Sequence, residues 1–159
     1  MQGIPLNERK RLGALLDDRP QTEVMAMIPQ FSQAETDNFV APPAQIPEAL
    51  GVLMFNMERG VNLPEIQEFL RDCPDIQPFD VILANELDDG CARSGNKNTA
   101  RELAQAFGLN YAWGLEFIEL VNDENAKGFH GNAVFSRWPI RRAGVIRLPE
   151  QYNWYFDRQ

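Results

Sequence analysis

A chain of 159 residues with 44% hydrophobic and 24% charged side chains is long enough to bury a core within one domain and is neither disordered nor fibrous in composition. Its net charge of −8 excludes the basic surface that grips phosphate backbones over many nucleotides. Two cysteines without metal-like spacing suggest neither a zinc site nor a disulfide framework, no run reaches the roughly 20 apolar residues of a membrane span, and Met1-Gln2-Gly3-Ile4-Pro5 has no charged-then-apolar signal, so a cytoplasmic location is expected.

Residues 1–50 read as an extension packed on the body. Short helices are expected over 7–16, with Leu12, Leu15 and Leu16 on one side, and over 21–28, with Val24, Met25 and Ile28. Pro42, Pro43 and Pro47 then mark an irregular segment. The body is expected over residues 51–159. Gly51-Val52-Leu53-Met54-Phe55-Asn56-Met57 is an apolar strand expected to be buried on both faces, with Asn56 its one polar group. Asn62, Pro64 and Glu65 predict a helix start capped by Asn62, with Ile66, Phe69 and Leu70 on its apolar face.

Phe79 and the run 81–84 predict a second buried strand, and it ends in Asn85-Glu86-Leu87-Asp88-Asp89-Gly90. Strand, helix, strand at this spacing predicts a βαβ-like unit. A carboxylate at the mouth of a strand stays ionised in water, and a hard cation would take its oxygens. The alternative is a plain polar turn, because Asp and Gly are turn formers. Residues 87–97 read as a polar loop carrying Arg93 and Asn96. Thr99-Ala100-Arg101-Glu102 reads as a capping box opening a helix that Gly108 closes.

Residues 111–121 predict a third strand, aromatic and β-branched, in which Glu116 and Glu119 are expected to face solvent. His130, the single histidine, is the one ordinary acid–base candidate near neutral pH. Short strands are expected over 133–135 and 145–148, followed by an aromatic tail over 152–159.

Three pieces stand in a fixed order: a strand ending in Phe55-Asn56, a strand ending in Asn85-Glu86, and His130-Gly131-Asn132-Ala133-Val134-Phe135-Ser136-Arg137-Trp138-Pro139-Ile140. This order, with Arg93-Ser94-Gly95-Asn96 between, resembles the endonuclease/exonuclease/phosphatase superfamily, the DNase I-like fold, over about residues 50–148. The resemblance implies a four-layer α-β-β-α sandwich, of which this chain would form roughly the first half, one mixed sheet with helices on one face. It also implies hydrolysis of a phosphodiester or phosphomonoester in a nucleic acid, a lipid or a small molecule, with Mg²⁺ or Mn²⁺. Carried over by motif, Glu86 would bind the metal and Asn56 would orient metal and phosphate. His130 and Asn132 would lie at the rim of the cleft, and Asp88, Arg93 and Asn96 would contact substrate.

The family's second-half elements, an Asp-x-Asn strand end and a late Asp-His pair, do not occur in this sequence. The chain is therefore expected to be one part of a longer or split protein, feeble or inactive alone, and to self-associate or be complemented by a C-terminal half. Two other classes stay open. One is an interaction module without catalysis on the same scaffold. The other is a sugar hydrolase using Glu86 with Asp88 or Glu116.

Overall fold

The computed structural model describes residues 1–148. One parallel pair comprises β2 (Val52–Arg59), an edge strand, and β3 (Val81–Asp89), joined by helix α3 (Leu63–Asp72). Two parallel neighbours need such a crossover, and the apolar run on each side of a helical stretch supplies it. Helix α4 (Thr99–Phe107) follows, then β4 (Asn110–Ile118) and β5 (Phe129–Ser136). Ahead of these lie α1 (Leu6–Leu15), α2 (Gln21–Ala26) and β1 (Ala34–Asp37). The five strands make one mixed sheet in the order β1-β4-β5-β3-β2, antiparallel except for the β2–β3 pair. The chain is thus of the α/β class, with a single mixed sheet.

One row of the pleat is covered. Leu53, Ile82, Phe135 and Tyr111 stand side by side in register, and the last three are fully buried. The apolar stripe of α4, Ala100, Leu103 and Ala104, is buried as well, and Leu63 and Leu70 of α3 join the same core. The alternate row is open. Met54, Leu83 and Val134 are register partners, and Met54 is 73% exposed and Val134 41%. The expectation that β2 is buried on both faces is therefore corrected. Helices lie on one side of it, and among the described residues nothing matches them on the other. Asn56, at the end of the open row, is exposed rather than buried.

Other boundaries differ for identifiable reasons. The first 50 residues contribute an edge strand, β1, which pairs with β4 although its Ala-Glu-Thr-Asp sequence has no apolar run. Asn62 makes no side-chain capping bond. Asn98, not Thr99, caps α4 by accepting from the Arg101 amide at 2.8 Å. The Thr99 hydroxyl is drawn away to the Asp88 carbonyl, 2.8 Å distant. Gly108 closes α4 in the left-handed conformation, φ 60°, as expected. The third strand stops at Ile118, the strand around 133–135 extends to Phe129–Ser136, and β3 runs on through Asp88 and Asp89. Residues 145–148 are irregular instead of a strand. They belong to a segment crossing the sheet at Gly114, where an added Cβ would stand 3.3 Å from a Val145 methyl. Arg147 anchors that segment by donating to the Phe31 carbonyl at 2.9 Å, with its guanidinium 4.7 Å from the centre of the Phe31 ring. The aromatic tail lies outside the described residues.

The two faces should respond differently to truncation. Leu103→Ala, in the covered layer, is expected to cost roughly 2–5 kcal/mol. Met54→Ala, in the open row, should cost less than about 1 kcal/mol. Urea unfolding of the two variants checks this, and an equal cost would mean that the open row is covered in solution.

Candidate functional site

The carboxyl ends of β2 and β3 are where the ladder breaks. The β2–β3 register shifts between Asn56 and Arg59, and the β3–β5 register shifts between Ala84 and Leu87. Such irregularities re-aim side chains at strand ends. Glu86 occupies the β3 break with φ 58°, and Glu58 and Arg59 occupy the β2 break with φ 46° and 67°. Positive φ at non-glycine residues costs free energy and persists only where surrounding bonds enforce it.

Those bonds are present. The Glu58 amide donates to Asn56 Oδ1 at 2.8 Å, and Asn56 Nδ2 donates to Glu86 Oε1 at 2.8 Å. The Glu86 amide donates to Asn132 Oδ1 at 3.1 Å, and Asn132 Nδ2 donates to Glu116 Oε2 at 3.2 Å. Asn85 Nδ2 adds a longer bond to the same Asn132 oxygen, 3.3 Å. Residues from β2, β3, β5 and β4 thus form one exposed polar cluster. It holds two carboxylates, Glu86 and Glu116, and neither makes an ion pair among the described residues.

Behind this cluster lies a second, buried one. Asp88 has no exposed surface and His130 is 2% exposed. His130 Nδ1 is 2.8 Å from Asp88 Oδ1. Arg93 donates to the same carboxylate through Nε (2.7 Å) and Nη2 (2.9 Å), and the Ser94 hydroxyl donates at 3.2 Å. Arg93 also pairs with Glu119, whose other oxygen accepts from Asn125 Nδ2 at 2.7 Å. The expectation that Glu119 faces solvent is corrected, because Arg93 and Asn125 draw its carboxylate inward. The Phe117 ring lies 4.3 Å from that of His130. Burial pushes the Asp88 carboxyl up, but the His130 hydrogen bond and the Arg93 fork outweigh it and hold the group below the usual carboxylate range. Burial, with the charge of Asp88 nearby, pushes the Cys91 thiol up to about 12, so it is a neutral core group.

The seven sequence-predicted site residues therefore separate. Asn56, Glu86 and Asn132 come together in the exposed cluster. Asp88, Arg93 and His130 share the buried one. Asn96 lies in the adjoining loop, accepting from the Ala126 amide at 2.8 Å and donating to the Glu124 carbonyl at 3.1 Å. Asn85 and Glu116 join the exposed cluster without having been assigned to a metal site. Asn85 sits in the same strand-end motif as Glu86, and Glu116 interrupts an otherwise aromatic strand.

As a cation site, the exposed cluster has limits. Among the described residues no three His, Cys, Asp or Glu side chains converge to make a protein cage. A hard ion that keeps most of its waters needs only one or two carboxylates, and Glu86 with neutral amide neighbours fits that requirement. Comparison with known proteins finds no matching family model, no matching curated protein and no matching solved structure. Among the described residues no helix is long and apolar enough to cross a membrane.

The lowered Asp88 pKa fixes a pH dependence. A carboxyl depressed in the folded state contributes stability above its unfolded value, about 3.9, and that contribution is lost as pH falls through the folded value. Asp88→Asn should therefore destabilise the protein by about 3 kcal/mol at pH 7 and flatten the decline of stability below about pH 4. Urea midpoints measured from pH 2 to 7 test both effects, and an unchanged acid limb would remove Asp88 as its source.

Proposed function

We propose that the exposed cluster is the cation- and phosphate-holding side of a phosphoesterase site of the endonuclease/exonuclease/phosphatase, DNase I-like, superfamily. The observation that carries the proposal is the 2.8 Å bond between Asn56 Nδ2 and Glu86 Oε1. Two residues 30 positions apart, chosen as a pair from motif order, meet near the carboxyl ends of adjacent parallel strands, where the strand registers shift. Ligands of open α/β sheets bind beyond the carboxyl ends of such strands.

Glu86 would hold Mg²⁺ or Mn²⁺, an ion that supplies charge neutralisation to a phosphate ester. Asn56 fixes one Glu86 oxygen and leaves the other for a ligand. Asn132 holds the Glu86 backbone. No group in this cluster is a proton acceptor of the histidine kind, since His130 is buried against Asp88. The chain's own contribution is thus binding and orientation, and turnover requires a base from outside this cluster. The net charge of −8 favours a small or lipid phosphoester over a long nucleic acid.

A second assignment, an interaction module without catalysis, is favoured by the open row of Val52, Met54, Leu83 and Val134. Titration with Mn²⁺ followed by calorimetry or electron paramagnetic resonance separates the two. The phosphoesterase assignment expects binding that competes with Mg²⁺ and is weakened at least about tenfold by Glu86→Gln. Absence of divalent-ion binding in the wild-type chain would leave the interaction module.

A further inference from the structure

The cluster contains a carboxylate for which the proposed chemistry has no task, Glu116. We propose that Glu116 is a positioning residue for Glu86 and acts through the side-chain amide of Asn132; as a statement about cation binding, this rests on the phosphoesterase assignment.

The argument is one of hydrogen-bond polarity. An ionised carboxylate only accepts, whereas a side-chain amide has one accepting and one donating end. Glu116 Oε2 lies 3.2 Å from the Asn132 amide, so it requires the Asn132 nitrogen to face it. The Asn132 oxygen is then turned toward β3, where it accepts from the Glu86 amide at 3.1 Å and from Asn85 Nδ2 at 3.3 Å. The Glu86 amide needs that acceptor because it falls in the gap of the β3–β5 ladder, between the Ala84 and Leu87 pairings. Reversal of the Asn132 amide would set an NH₂ against the backbone N–H of a residue held at φ 58°. The left-handed conformation that presents the Glu86 carboxylate would lose its restraint.

The bonds form two relays that meet at Glu86: the Glu58 amide to Asn56 to the Glu86 carboxylate, and the Glu86 amide to Asn132 to the Glu116 carboxylate. Within each relay the donors point the same way and reinforce one another, and Glu116 is the terminal acceptor of the second. Arg147 lies nearby, but it binds the backbone carbonyls of Leu115 and Glu116 rather than the Glu116 carboxylate. The carboxylate is therefore left to Asn132.

The experiment uses the ¹⁵N-labelled full chain as wild type, Glu116→Ala and Glu116→Gln. Two quantities are read: hydrogen exchange of the Glu86 amide without metal, and Mn²⁺ affinity. The Ile82 amide, in the buried part of β3, reports whether the fold itself has changed. Glu116→Ala is expected to speed Glu86 exchange about tenfold and to weaken Mn²⁺ about tenfold, with Ile82 unaffected. Glu116→Gln keeps an accepting oxygen and should stay within about threefold of wild type on both. The proposal is overturned if Glu116→Ala leaves Glu86 exchange or Mn²⁺ affinity unchanged. It is also overturned if Glu116→Gln weakens Mn²⁺ as much as Glu116→Ala does, since charge rather than polarity would then be what matters. A wild-type chain that binds no Mn²⁺ defeats the phosphoesterase assignment, and the metal-free exchange data still decide whether Glu116 positions Glu86.

Discussion

A carboxylate removed from water must be compensated on every side, and Asp88 is the place where this chain meets that demand. Burying an ion costs several kcal/mol unless partners replace its hydration. Arg93 supplies two bonds, Ser94 one and His130 one, all to the two Asp88 oxygens. The partners come from two places: adjacent residues of the turn after β3, and the antiparallel strand β5. The Asp88 carbonyl takes the Thr99 hydroxyl from the first turn of α4. One residue thereby fixes the end of β3, the loop beyond it, the neighbouring strand and the entry to the covering helix. Arg93 carries the constraint on to Glu119, just past β4, and through it to Asn125 in the turn that follows. The loop of residues 90–98 is consequently anchored directly behind the strand ends that carry Asn56 and Glu86.

The exposed cluster is built on that anchored frame and follows a different rule. Its side chains are in water, where a single hydrogen bond contributes little. Order comes from the direction of the bonds. Each amide is fixed because one neighbour can only donate and the other can only accept. The breaks in the β2–β3 and β3–β5 ladders provide the backbone groups that need such partners. A rigid ladder would have used those groups itself and left the side chains on the regular pleat. Irregular pairing and polar side chains at the strand ends are therefore two parts of one feature.

Much of this architecture is legible in the sequence, and what is hidden is hidden for physical reasons. The β2-α3-β3 unit is legible because apolar runs flank a helix start with proline and glutamate in its first turn. Residues 34–37 give no such signal, since β1 joins the sheet by ladder bonds at an edge and buries little. Asp88 and Asp89 read as turn formers by composition. Nothing local reveals that Asp88 meets a histidine 42 residues later, because the pairing depends on β3 and β5 becoming neighbours. The single polar interruption at Asn56 is legible as special, but its exposure is not. Apart from Asn56, residues 52–57 of β2 are apolar on both faces of the pleat, while helices cover only one of those faces. Thr99 shows a similar limit: its capping pattern is sound locally, and a long-range acceptor at Asp88 takes its hydroxyl.

The burial of Arg9 has a consequence for how the protein is made. Its guanidinium donates to the carbonyls of Glu119, Asn122 and Asn125, the last at 2.7 Å and 116 residues away. Among the described residues no carboxylate pairs with it, so α1 is docked by main-chain oxygens that exist in place only once β4 has been followed by its turn. At translation speeds of about 5–20 residues per second, Arg9 is synthesised roughly 6–23 s before the last of those acceptors, Asn125. The nascent chain must carry α1 with an undocked cation and a bare Leu12 until Asn125 has been made. Its attachment therefore waits on the turn that follows β4, although the helix itself is synthesised well before that turn.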